Sequence, residues 1–251
     1  MRNLSKKFST LNTINNIKNK IKNDRIDTIT MGFPDIYGRF IGKKYDSDYF
    51  VEGVLSKGSN ACNYLLGCDI EFTPLPNTEL SSYQLGYGDF MMKPDFNAVK
   101  EVDYISKNKQ LFLFSDLYYI EDDKEMVKYA PRYLLKNSVE NLQKHGISVK
   151  VEYEINFTAF LEKFRKNMKD LSLIQPITEH NNLANVFYSA SHENMLNSIK
   201  NSSKTSKIPL IGIYGDSGEG QFKLSVDKQN CVETSDSIVL LKLVSKYFIN
   251  R

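Results

Sequence analysis

The sequence predicts an α+β fold built in two successive units. Three patterns carry this expectation. A helix-period stretch near the start runs directly into a strand–turn–strand pattern, a second helix feeds a strand in the middle, and a strand pair closes into a helix at the end. With 251 residues, 41% of them hydrophobic, the chain is long enough to bury one large or two modest cores.

From about Ser9 to Asp24, Leu11, Ile14, Ile17 and Ile21 recur three or four residues apart, the spacing of an amphipathic helix. In "RIDTITMGFPDIYGRFIGKKY", Ile26, Thr28 and Thr30 alternate, "DIYG" supplies turn residues, and Phe40 and Ile41 resume a strand. From about Leu55 to Lys100 the chain is rich in Gly, Pro, Asn and Ser and predicts short strands at best. "QLFLFSDLYYI" reads as a strand ending near Asp116. "EDDKEM", between Tyr119 and Tyr129, has the composition of a linker and divides the chain into units 1–118 and 130–251.

In the second unit, Pro131 suits the first turn of a helix that sets Leu134, Leu135, Val139 and Leu142 on one face and stops at Gly146. "ISVKVEYEINF" follows as a strand. A polar stretch reaches about Ser191, and a helix covers Glu193 to Ile199. "IPLIGIYG" and "DSGEGQFKLSV" pair as strands, and the final helix carries Ser235 as its expected cap.

Composition narrows function by exclusion. Lys+Arg 33 against Asp+Glu 30 is close to balance, and the lysines near the start, Lys6, Lys7, Lys18, Lys20 and Lys22, read as a solvated helix face, so no nucleic-acid partner is expected. A nucleic-acid role would need binding that falls steeply with salt. No apolar run approaches the ~20 residues of a membrane span, so no membrane partner is expected. Cys62, Cys68 and Cys231 have neither the number nor the spacing of a disulfide framework or zinc site and read as reduced thiols of a cytoplasmic protein. His145, His180 and His192 read as surface residues rather than ligands.

On local grounds alone, Glu152 and Glu154 would be solvent-facing residues of an edge strand, Asp35 and Gly38 hairpin chemistry, and "GEGQ" a turn. The glycines Gly215, Gly218 and Gly220 lack the Lys-Ser/Thr that a phosphate loop requires. Five motifs taken in order change that reading. "DIYGRFIGKKY" is similar to a D-x-x-G-x-x-R-G-K hairpin, with Asp35, Gly38, Gly42 and Lys43 in register and Ile41 at the arginine position. "GYGDFMMKPDFNAV" matches G-x-x-D-x-x-x-x-P-D through Asp89, Pro94 and Asp95. "APRYLLKNSVENLQKHG" matches a P-R-x-x-L helix. "EYEINF" stands against E-x-E-F, with Glu154 on the first carboxylate and Asn156 on the second. "DSGEGQFKLS" stands against E-x-x-P-G-Q-x-E, keeping Gly220 and Gln221.

Together, over roughly Asn16 to Phe248, these resemble the glutamine synthetase superfamily, in particular its γ-glutamylpolyamine synthetase and lengsin-like branch. The resemblance implies an N-terminal β-grasp domain followed by a glutamine synthetase-type catalytic domain, here incomplete. It implies an ATP-dependent ligase that joins glutamate to ammonia or an amine, with Mg²⁺ or Mn²⁺ held by strand carboxylates, and a homo-oligomer or pairing with a separately supplied missing half. Asp89, by the same resemblance, lies in a loop that approaches a neighbour's active site. Hard oxygen ligands on alternate positions of one strand face are what such cations need, and alternation puts Glu152, Glu154 and Asn156 on one side. The resemblance therefore points to Glu154, Asn156 and Asp216 as cation ligands, Glu152 as a further candidate, and Gln221 as support for the strand turn in the nucleotide site.

The departures point the other way. Asn156 offers an uncharged oxygen, Asp216 is one methylene shorter than the family's Glu, and Lys223 stands where the last Glu belongs. An ammonium there reverses the sign of an interaction worth roughly 4 kcal/mol per unit charge pair at about 4 Å and an effective dielectric near 20. Three outcomes are open: Lys223 turns away, the cation is absent, or the ammonium stands in for it. Glu219 is a poorly directed substitute. The family's later histidine-bearing strand, phosphate-clamping arginines and Glu-bearing flap have no counterpart in these residues. The expectation is a ligase of reduced or no activity; the alternative is a non-catalytic, truncated homologue with a structural or oligomer-forming role and exposed strand edges.

Overall fold

The computed structural model describes residues 2–76, 78–81, 86–104, 109–122, 124–161 and 174–249, with side chains of the first helix described from residue 13. The chain divides into two compact units, Met1–Val149 with Cys231–Val239, and Lys150–Asn230 with Leu240–Arg251. Both are mixed α and β.

The first unit opens with helix α1 (Arg2–Asn23), longer than its apolar spacing predicts. Ile17 and Ile21 from α1 enter the main core, with Ile14 partly buried against it, while Leu11 lies outside the described side chains. Strands β1 (Thr28–Pro34) and β2 (Phe40–Asp46) form the expected hairpin. Its turn is held by Asp35, whose Oδ1 accepts from the backbone N–H of Tyr37 and Arg39. Gly38 there has φ +67°, a left-handed conformation that a side chain resists. Two short helices, α2 (Ser47–Tyr49) and α3 (Leu55–Lys57), lead to β3 (Ser59–Cys62).

A correction follows at Asp89–Val102. Where short strands at best are expected, the structure has a 14-residue strand, β4. It pairs antiparallel with β5 (Gln110–Tyr119), but the register shifts between Pro94 and Val99, opposite Ser115 and Leu113. Five steps on β4 oppose two on β5, so residues 95–98 bulge outward. Proline and this bulge break the period-2 pattern by which a strand is read from sequence. The sheet order is β2-β1-β5-β4-β3, with β1 and β5 parallel and the other neighbours antiparallel. Strand β5 is buried on both faces. Leu111 and Leu113 join Ile29, Met31 and Met92 in the main core, and Phe114 packs with Ala98, Phe40 and Val239 on the other side.

Helix α4 (Pro131–Lys144) starts at proline and ends before Gly146, which has φ +74°. Leu134, Leu135, Val139 and Leu142 share one face as expected, but Leu134 and Leu142 on it are exposed, and the buried residue of the helix is Arg132.

The second unit is a three-stranded antiparallel sheet, ordered β6-β8-β7, of β6 (Lys150–Thr158), β7 (Leu210–Gly215) and β8 (Gln221–Asn230), with helices α5 (Val186–Ser191) and α6 (Glu193–Thr205). Phe222, Leu224 and Val226 of β8 are buried, and Phe157 stacks on Phe222 with ring centroids 5.8 Å apart. Helix α7 (Cys231–Ile249) begins four residues before Ser235, which therefore lies inside the helix rather than capping it. Its residues to Val239 belong to the first unit and those from Leu240 to the second.

Candidate functional site

The open face of the three-stranded sheet is where the strand residues singled out by the motifs meet. Along β6, Tyr153, Ile155 and Phe157 are partly buried while Glu152, Glu154, Asn156 and Thr158 are exposed, the alternation a half-buried strand requires. Pairing with β8 sets Glu154 opposite Ser225, Asn156 opposite Lys223 and Thr158 opposite Gln221. Across the other edge of β8, Lys223 faces Tyr214 and Ser225 faces Gly212 of β7. Lys223 thus sits in the middle strand, with Asn156 on one side and Tyr214 on the other.

Of the three outcomes left open for Lys223, turning away is not what the structure shows. Its Nζ lies 3.2 Å from Glu154 Oε2. The second carboxylate oxygen, Oε1, accepts a hydrogen bond from the Ser225 hydroxyl at 3.0 Å. Both oxygens of Glu154 therefore already hold a donor. The Glu154 side chain is 56% exposed and that of Lys223 29%, so the pair contributes about 0–1 kcal/mol to stability. Its importance is local charge. Ser225 was missed in the sequence, although its place two residues after Lys223 on a strand puts it on the same face.

Asp216 follows β7 in the loop to β8. Its backbone N–H bonds to Gln221 O, and its Oδ1 accepts from the backbone N–H of Ser217. Gln221 closes the same turn, its side-chain Oε1 accepting from Gly218 N–H at 2.8 Å. Below it, Thr178 Oγ1 accepts from Gly220 N–H at 2.6 Å. Glu219 is exposed. Glu152 stands beside the register shift between Val151 and Tyr153, and Asp89 begins β4 of the first unit, opposite Cys62. His192 is half-buried, its Nε2 3.0 Å from Ile177 O and its ring edge-on to Phe222, which gives it a packing role.

A divalent cation asks for several converging hard oxygens, preferably anionic. Among the described residues, no group of three or more His, Cys, Asp or Glu side chains is placed to hold a metal. At Glu154 the carboxylate is held by an ammonium and a hydroxyl, with Asn156 as the cross-strand neighbour of Lys223, a set with no net negative charge to hold a divalent ion. The residues present do not fit the implied cation.

The first unit holds a second constellation, which joins Arg132 and Asp95 of two separate motifs to residues the motifs do not name. Arg132 donates from Nε and Nη2 to the two oxygens of Asp236 at 2.9 and 2.8 Å, from Nη1 to Asp116 at 2.6 Å and from Nη2 to Asp95 at 2.8 Å. Lys136, one helical turn later, bonds Asp95 at 2.8 Å and Asp116 at 2.6 Å. The bulge of β4 delivers Asp95, β5 delivers Asp116, and α7 delivers Asp236. Burial drives the Arg132 guanidinium toward neutrality, but Asp236, Asp116 and Asp95 outweigh it and hold the group far above its ordinary range. Burial also pushes Asp95 up, and the Lys136 hydrogen bond with the charges of Arg132 and Lys136 brings it below the usual carboxylate range. Asp236, almost wholly buried, is pushed up by burial against the pull of Arg132. Every charge in the cluster has a partner, which marks it as a structural clamp.

Comparison with known proteins fits the motif order. The family model described as glutamine synthetase, catalytic domain, matches residues 128–250. γ-Glutamylethanolamide synthetase GlnA4 of Streptomyces coelicolor is 27% identical over 225 residues, 88% of this chain and 47% of that protein. Glutamate–isopropylamine ligase of a Pseudomonas species is 21% identical over 227 residues, 90% of this chain and 49% of that protein. The chain thus spans about half the length of these curated relatives. Among solved structures, a glutamine synthase homolog aligns with a TM-score of 0.71 at 14% identity, covering 88% of this chain and 48% of that one. A GmaS/ADP complex aligns with a TM-score of 0.72 at 13% identity, covering 92% and 48%. At these identities the structural likeness speaks for the fold. The five ordered motifs, the matched catalytic-domain region and the relatives' sequences agree in their likeness to the glutamine synthetase superfamily.

Proposed function

We propose that this chain keeps the fold of an ATP-dependent glutamate–amine ligase, of the γ-glutamylpolyamine synthetase and lengsin-like branch, with little or no ligase turnover. The carrying observation is the Lys223–Glu154 pair at 3.2 Å, an ammonium in the place the resemblance reserves for a divalent cation. Residues 1–118 would be the β-grasp domain and 130–251 a partial catalytic domain. Glu154, Asn156 and Asp216, with Glu152 beside them, are the positions that carried metal ligation in the ancestral site, Gln221 supports the nucleotide-side turn, and Asp89 faces a neighbouring subunit. The ancestral reaction would use ATP, Mg²⁺ or Mn²⁺, glutamate, and ammonia or an amine such as the ethanolamine and isopropylamine of the relatives' names. A cytoplasmic location accords with the three free thiols. Phosphate release from ATP, with glutamate, Mg²⁺ or Mn²⁺, and ammonia, ethanolamine or isopropylamine, tests the reading. Release at background is expected; turnover above it overturns the reading.

The second reading is a non-catalytic role in an assembly. It is favoured by the position of β7 at the edge of the described sheet and by exposed Val186, Phe187 and Ile211 beside it, since edge strands and bare apolar surface invite association. Mass measured in solution by light scattering decides it. A homo-oligomer, or a complex with a chain supplying the relatives' other half, supports it; a sharp monomer refutes it.

A further inference from the structure

We infer that Lys223 is the resident cation of the strand pair β6–β8, and that its ammonium, held by Glu154, keeps divalent metal off this face. The inference rests on the family reading but concerns metal exclusion rather than turnover.

Three features support it. First, the ammonium and the Ser225 hydroxyl occupy the two oxygens of Glu154, so an entering Mg²⁺ or Mn²⁺ would have to compete with both for the Glu154 carboxylate. Second, Lys223 belongs to the central strand, paired on both edges, with Asn156 and Tyr214 as its cross-strand neighbours. Its backbone cannot swing off the face without breaking the sheet. Third, the oxygens that remain around position 223 belong to Glu154, Asn156, Ser225 and Tyr214, all hard ligands but with one formal charge among them. Mg²⁺ in particular releases its waters reluctantly and stays only where anionic oxygens converge. Replacing the ammonium by a carboxylate changes the local charge from zero to two negative charges on adjacent strands of one face, which is the condition for capture.

Manganese binding to the full chain tests this, read as loss of the electron paramagnetic resonance signal of free Mn²⁺. Wild type should bind no more Mn²⁺ than Glu154→Gln at concentrations on the order of 1 mM. Lys223→Glu should gain one Mn²⁺ per chain, at least about tenfold tighter than wild type, and should lose it again when combined with Glu154→Gln. Mn²⁺ binding by wild type that Glu154→Gln abolishes would overturn the inference, as would a folded Lys223→Glu chain that binds no better than wild type. Should Lys223→Glu fail to fold by circular dichroism, Lys223→Gln takes its place. Removing the ammonium alone should raise Mn²⁺ affinity severalfold, and an unchanged affinity counts against the inference. Ligase turnover without Glu154-dependent metal binding would sink the reading of lost activity and leave this one standing. Glu154-dependent binding without turnover would do the reverse.

Discussion

Replacing Arg132 with Met keeps the volume and apolar stem of the side chain but removes the cation from the clamp of the first unit. The cost can be worked from who is left without a partner. Asp95 and Asp116 keep Lys136 at 2.8 and 2.6 Å. Asp236 loses both bonds of its bidentate contact, its side chain is only 4% exposed, and only the more distant charge of Lys136 still favours its carboxylate. A buried pair broken on one side costs about 3–5 kcal/mol, a large share of the ~5–15 kcal/mol that holds a domain folded. Arg132→Met combined with Asp236→Asn removes the stranded charge and should recover at least about half of that loss. The penalty also carries a pH signature. In Arg132→Met, Asp236, which burial already raises in the wild type, loses the opposing hydrogen bond and charge of Arg132, so its folded pKa moves further above the unfolded value. Stability is then fully present below the unfolded pKa and lost as pH rises through the folded one, so the gap from wild type should narrow between pH 7 and pH 5. Urea unfolding followed by circular dichroism at both pH values measures it. A loss below about 1 kcal/mol at pH 7, or a gap that does not narrow at pH 5, would show that the clamp is not what holds Asp236.

Two further expectations concern named residues. Asp95 is held below the ordinary carboxylate range, so its contribution is present above the unfolded pKa near ~3.9 and lost as pH falls through the folded value; Lys136→Met should flatten the loss of urea stability below about pH 4. Gly220 has φ +64°, and a Cβ there would lie 2.5 Å from Ala159 O, so Gly220→Ala should lower the stability of the second unit by about 1–3 kcal/mol, seen as a lower melting temperature; an unchanged melting curve would refute the tightness of that turn.

The local elements were legible because each rests on chemistry within a few residues. Pro131 and Gly146 bracket α4, Asp35 and Gly38 write the β1–β2 turn, and the alternation of β6 places Glu154 and Asn156 on one face whatever surrounds them. Strand β4 was not legible, because Pro94 and the residues bulging after it scramble the alternation, and only pairing with β5 shows the strand continuing. The early start of α7 was hidden for a related reason, since a good capping residue at Ser235 does not stop helical residues before it from being helical.

The likeness to the superfamily came from the order of five short motifs, a property of the chain alone. What Lys223 does did not. The sequence placed a positive charge where a negative one belongs and left its direction open, because a four-carbon stem can reach either way. Pairing with β6 and β7 then set that ammonium beside Glu154. The clamp around Arg132 lies wholly on the tertiary side, since its carboxylates stand 37, 16 and 104 residues away in sequence. Charges that distant meet only when strands, bulge and helix have packed, and no spacing rule along the chain encodes a meeting that packing alone creates.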